Sequence, residues 1–274
     1  MPDAPQPKIA LLPLPEHYTL PGRPGGATAA VIDCHRQTGF VLGTELAEFA
    51  SIMDHHLEAV RAISKPLVHE AAATLTYGAR TYGLLADACA LLTQGSYGSC
   101  LPLMRSAINS IATMRSLTAG DDEDYAQWLA VAVRREETAT AFDLGRYHAS
   151  SVIAEDARLE TLYRILSDLS MPYIGSTLLL AAPEADAVKI SISFPDGSFH
   201  LGWAELITGW LLEIAAASLA AIDFTGEKSK AAAASVEVVH ATRPRCHVRE
   251  ENGRWVIDNY RRNSRGQPRR VIIG

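Results

Sequence analysis

The four cysteines in this 274-residue chain, Cys34, Cys89, Cys100 and Cys246, form no C-x-x-C pair. Zinc-ribbon spacing is therefore absent, as is the dense pairing of a small secreted disulfide scaffold. Aromatic residues are sparse, at 7%. The most apolar stretch, "WAELITGWLLEIAAASLAAIDF", is interrupted by Glu205 and Glu213, so it reads as a buried core helix rather than a membrane span. The N-terminus "MPDAPQPKIALLPLPEHYTLPGRPGG" has neither the basic start nor the unbroken apolar run of a signal peptide. Free thiols in a reducing cytoplasm are the expectation. The usual catalytic signatures are missing too: the chain has no G-x-S-x-G, no G-x-x-x-x-G-K and no G-x-G-x-x-G following a strand. No repeat of solenoid length is visible.

Alanine is plentiful, in "HEAAATL", "EIAAASLAAI" and "KAAAASV". It is the best helix former and lets helices approach closely, so the composition favours a helical bundle. With 48% hydrophobic and 20% charged residues, the chain can bury a core as one large domain or two small ones. The net charge of −6 is unevenly spread: residues 241–274 hold nine arginines against three acids, which leaves −12 on the first 240. An acidic body repels phosphate, which disfavours general nucleic-acid binding. The basic end, with Arg261, Arg262, Arg265, Arg269 and Arg270, is better suited to an acidic protein surface, first of all that of its own or a neighbouring subunit.

The pattern predicts a mainly α protein, an antiparallel helical bundle with a small β-hairpin insertion and a C-terminal β-hairpin or arm. Residues 1–40 read as an extended, proline-rich segment, in which "AAVIDCHRQTG" is a short strand or turn. Residues 41–225 form the bundle. Helical spacing begins near Leu42 with Leu46, Phe49, Ile52, Met53, Leu57 and Val60. A second helix enters through Pro66 and stops at Gly95, and a third carries Tyr97, Cys100, Leu101, Met104, Ile108, Ile111 and Met114. A fourth follows Gly120, a fifth is "AEDARLETLYRILSDLS", a short one enters through Pro172, and the last runs from Trp203 to about Ile222. The alternation in "VKISISFPDGSFHLGW" suggests a hairpin near residues 187–201. Residues 226–274 read as a linker, a hairpin turning at Asn252-Gly253, and a basic tail.

Few residues offer chemistry. The cluster Asp121 to Asp124 is an acidic helix N-terminus favoured by the helix dipole. His55, His56 and Glu58 make a weak metal constellation, because adjacent helical residues point about 100° apart. No metal and no cofactor are expected. Arg105 is the odd residue, set among Leu101, Met104, Ile108 and Ile111. Desolvating a guanidinium demands a counter-charge, and Asp87, Glu70 and Asp168 are the candidate acids. An Arg105–Asp87 clasp between helices is the first expectation. Escape of the side chain to water or a ligand-facing role are the alternatives.

The segments "ACALLTQGSYGSCLPLMRSAINSIATMRSL" and "YRILSDLSMPYIGSTLL" resemble a family of bacterial helical proteins of unknown function near the HEPN superfamily, over roughly Thr81 to Phe224. Arg105-Ser106 matches the central motif of the first segment, and Tyr163, Arg164, Ser167 and Pro172 match the second. Asn109 stands where the family carries an acid, and Met171 where a histidine is expected. The resemblance implies an antiparallel, frequently dimeric bundle. Some HEPN proteins are ribonucleases that use an arginine–histidine motif, which this chain lacks after Arg164. The expected function is a non-enzymatic, homo-oligomeric binding or assembly protein. The alternatives are an enzyme with a buried polar site built from Arg105, Asp87, Tyr163 and His69, or a degenerate HEPN-like RNA-targeting protein.

Overall fold

Apolar residues at helical spacing build a helical bundle, seen in a computed structural model that describes residues 13–62, 69–118, 150–182, 188–192, 194, 197–222, 246–262 and 268–273. Helix α1 spans Ala29–Arg61 and is capped by Thr28, whose Oγ1 accepts from the Val31 amide. It buries Cys34, Thr38, Leu42, Leu46, Phe49, Ile52, Met53, His56 and Leu57 along one face. The stretch Ala29–Gly39 is thus helical, not a strand or turn. A kink at Leu42, with φ −119° and ψ 21°, separates it from the periodic second half. The proline-rich segment ahead of α1 is tied along it. Arg61 donates to the Glu16 carbonyl at 2.7 Å and to the Pro15 carbonyl, while the Tyr18 amide donates to Asp54 at 2.6 Å.

Helices α2 (His69–Thr93) and α3 (Tyr97–Thr118) form an antiparallel hairpin. Its turn is closed by the Ser96 amide reaching back to the Leu91 carbonyl at 2.9 Å, with Gly95 at φ +74°. That left-handed conformation suits glycine because it has no Cβ. Helix α4 (Ser150–Glu155) is followed directly by α5 (Ala157–Ser170), and Asp156 between them caps α5 by accepting from the Arg158 and Leu159 amides. Helix α6 covers Ile174–Ala181.

Helix α7 (Leu201–Ile222) is the centre of the body. Sixteen of its 22 residues are buried, and it packs against α1, α2 and α3. It is long and apolar enough to cross a membrane, but 78% of its apolar window lies inside the fold, as a core helix does. Gly78 lets α2 come close to it: a Cβ there would sit 3.2 Å from Ile222 Cδ1 and 3.7 Å from Met114 Sδ.

Strands β1 (Cys246–Glu251), β2 (Arg254–Arg262) and β3 (Pro268–Ile273) pair antiparallel in sequence order. Asn252 and Gly253, at φ 54° and 73°, make the β1–β2 turn, and Val271, Ile272 and Ile273 align with Ile257, Val256 and Trp255. Pro66, the fourth expected helix with its acidic cluster, and most of the linker from residue 226 lie outside the described residues. So does part of the hairpin expected at 187–201; its described residues 188–192, 194 and 197–200 run without helix or strand.

Candidate functional site

Arg105 lies on the flank of α3 that meets α5, with Leu101, Met104 and Ile108 fully buried around it. Its Nη2 donates to the Tyr163 hydroxyl at 3.4 Å, and Cζ stands 5.4 Å from the centre of the Tyr163 ring. Its Nε–H is buried and meets no acceptor among the described residues. The expected clasp with Asp87 does not form. Leu85, Ala88, Cys89 and Leu92 set the inward face of α2, and Asp87, about 200° round from Leu85, is exposed on the other side. Its charge is felt by Tyr18 instead. Asp168 is exposed on α5, the Glu70 side chain lies outside the described residues, and Asn109, one turn beyond Arg105, is exposed and neutral.

The contact between guanidinium and ring is worth about 0.5–2 kcal/mol. The unmet buried donor costs about 1–3 kcal/mol. These terms nearly cancel, so the arrangement is a poor structural clasp. It leaves a cation beside a phenol with no carboxylate paired to it among the described residues.

The other sequence candidates do not join this pair. His69 opens α2, and its side chain lies outside the described residues. His55 is half-buried, Glu58 is exposed, and His56 turns inward. The Ile52 carbonyl can only accept, so His56 Nδ1 carries the proton it shares with that oxygen at 2.9 Å. Burial pushes the imidazole down to about 4, which keeps it neutral near pH 7. Among the described residues no group of three His, Cys, Asp or Glu side chains is placed to hold a metal. Arg261 and Arg262 end β2, while Arg269 and Arg270 lie in β3, with Arg270 in register with Asp258. Arg265 lies outside the described residues.

Several features escape the sequence reading. Cys34 Sγ lies 3.7 Å from the Tyr97 hydroxyl and 3.8 Å from Thr38 Oγ1, and Tyr97 accepts from the His200 amide at 3.0 Å. Burial pushes the Cys34 thiol up, Cys89 up to about 11 and Cys100 up to about 12. These three are packed thiols rather than nucleophiles. Two ion pairs stitch α5 to its neighbours: Arg115 to Asp156 at 2.9 Å, and Arg158 to Glu213 through two parallel hydrogen bonds. Their signal in sequence is only a scatter of opposite charges.

The last feature is an apolar surface. Val188 is 95% exposed, Phe194 88% and Ile174 82%, with Tyr173, Ile190 and Ile192 also mostly in water. Leu180 and Gly197 both lie close to the α2–α3 turn. A Cβ at Gly98 would lie 3.5 Å from Leu180 Cδ1, and one at Gly95 would lie 2.5 Å from the Gly197 carbonyl oxygen.

No model of a known protein family, no curated protein and no solved structure matches this chain significantly.

Proposed function

We propose that this chain is a non-enzymatic helical binding and assembly protein of the cytoplasm that works as a homo-oligomer. The observation that carries this reading is the set of large apolar side chains left exposed between residues 173 and 194. Tyr173, Ile174, Val188, Ile190, Ile192 and Phe194 leave on the order of 800 Å² in water, roughly what one partner contributes to a stable protein interface.

A second copy is the partner that fits best. Alternation of Val188, Ile190, Ile192 and Phe194 with Lys189, Ser191 and Ser193 is the pattern of a strand with one apolar face. A twofold axis lets the same segment cover itself. Charge supports the same partner, because the excess of +6 in residues 241–274 complements the −12 of the preceding body. Arg261, Arg262, Arg265, Arg269 and Arg270 would then grip an acidic neighbour, of this chain or of another protein.

Light scattering during size exclusion tests the proposal with Ile192→Lys combined with Phe194→Lys. Both side chains are exposed, so the helical circular dichroism should be kept while the particle falls to a 29.6 kDa monomer. A double variant with the wild-type oligomeric mass would overturn the role of this surface.

A further inference from the structure

We propose that Arg105 and Tyr163 form a binding site for an oxyanion, the carboxylate or phosphate group of a small ligand. This site is independent of the oligomeric state. Arginine keeps its charge at any physiological pH, and a half-buried guanidinium ordinarily sits against a carboxylate. Arg105 does not. Of its five N–H donors only one meets an acceptor among the described residues, the Tyr163 hydroxyl, at 3.4 Å. Of the candidate acids whose side chains are described, Asp87 is exposed on the outer face of α2 and Asp168 is exposed five residues beyond Tyr163.

The direction of that one hydrogen bond matters. Because the phenol oxygen accepts from Arg105, its own proton is free to be donated, and Tyr163 has no other side-chain hydrogen bond among the described residues. Two kinds of donor therefore converge: the unmet N–H groups of a fixed cation and the O–H of a phenol. The exposed Asn109, one turn on along the same face of α3, can add an amide donor. A forked guanidinium matches the two-oxygen edge of a carboxylate or phosphate, and the ring held 5.4 Å from Cζ keeps the fork oriented. Leu101, Met104 and Ile108, all fully buried, flank Arg105 on α3.

The full-length protein, labelled with ¹⁵N, is titrated with inorganic phosphate and with acetate, against chloride at matched ionic strength. The readout is the Arg105 Nε–Hε resonance, identified by its loss in Arg105→Lys. A saturable shift with either oxyanion, absent in chloride, is expected. A stronger response to phosphate assigns a phosphate ligand, and an equal or stronger one to acetate assigns a carboxylate. Read through the backbone amides of residues 105 and 163, which every variant retains, Arg105→Met should weaken binding by about tenfold or more, and Tyr163→Phe by about threefold to tenfold, as expected when charge-assisted and neutral donors are removed. No saturable shift in the wild-type protein overturns the site without recourse to any variant. If Arg105→Met does not fold, Tyr163→Phe decides, since it removes a single hydroxyl; unchanged affinity there overturns the two-donor site. Wild-type affinity in a folded Arg105→Met does the same.

Discussion

Lowering the pH should weaken the fold through one residue, His56. His56 is 1% exposed, its Nδ1–H is committed to the Ile52 carbonyl, and its Nε2 has no hydrogen-bond partner among the described residues. Protonating Nε2 would place a charged donor in the core with nothing to receive it. The unfolded chain takes up that proton near the usual histidine value of 6.5, whereas the folded chain resists until about 4. Between those values the unfolded state holds more protons, so stability is complete above 6.5 and is lost as pH falls toward 4. Going from pH 7 to pH 5 should remove about 2 kcal/mol through His56 alone. Urea unfolding at the two pH values, on the wild type and on His56→Gln, isolates the term, because every other titrating group is common to both. The wild type should lose about 2 kcal/mol more than the variant. Equal losses would refute the reasoning, and with it the burial of a neutral His56.

Other perturbations probe separate joints of the structure. Arg158→Met should cost about 2–3 kcal/mol by orphaning Glu213, whose side chain is 13% exposed; Arg158→Met with Glu213→Leu should recover most of it, and a double variant no more stable than the single one would contradict an energetic coupling. Gly95→Ala should cost about 2–4 kcal/mol, because φ +74° disfavours a side chain and the new Cβ would press on the Gly197 carbonyl. A wild-type urea midpoint would mean that the α2–α3 turn and the chain around Gly197 are not in contact. Purified protein should leave RNA intact without metal, since Met171 rather than histidine follows Arg164 and ends α5 in an exposed position; cleavage abolished by Arg164→Ala would contradict this.

How much of this was legible depended on the residues. Helices α3, α5, α6 and α7 follow directly from apolar residues at helical spacing, with Gly95 and Pro172 marking ends. The first half of α1 does not, because Cys34, Thr38 and Gly39 give a weak apolar stripe. That half is held by tertiary contacts: Cys34 against Tyr97, and Val31 against Gly197. The Arg105 site was half legible. An arginine among apolar residues announces a problem, but which acid can answer it depends on helix register, and a rotation of about 200° removes Asp87 from the interface. Tyr163 was visible as a member of an apolar face; that its ring lies beside the guanidinium is a fact of α3–α5 packing alone. The alternation in residues 188–194 is plain in the sequence, whereas its exposure is not, since an apolar strand pattern is normally buried.

Self-assembly through the apolar surface is the central claim, and the mass of the untouched protein tests it most directly. Native mass spectrometry of the full chain across the micromolar range is predicted to give multiples of 29.6 kDa. A single 29.6 kDa species throughout that range would contradict it.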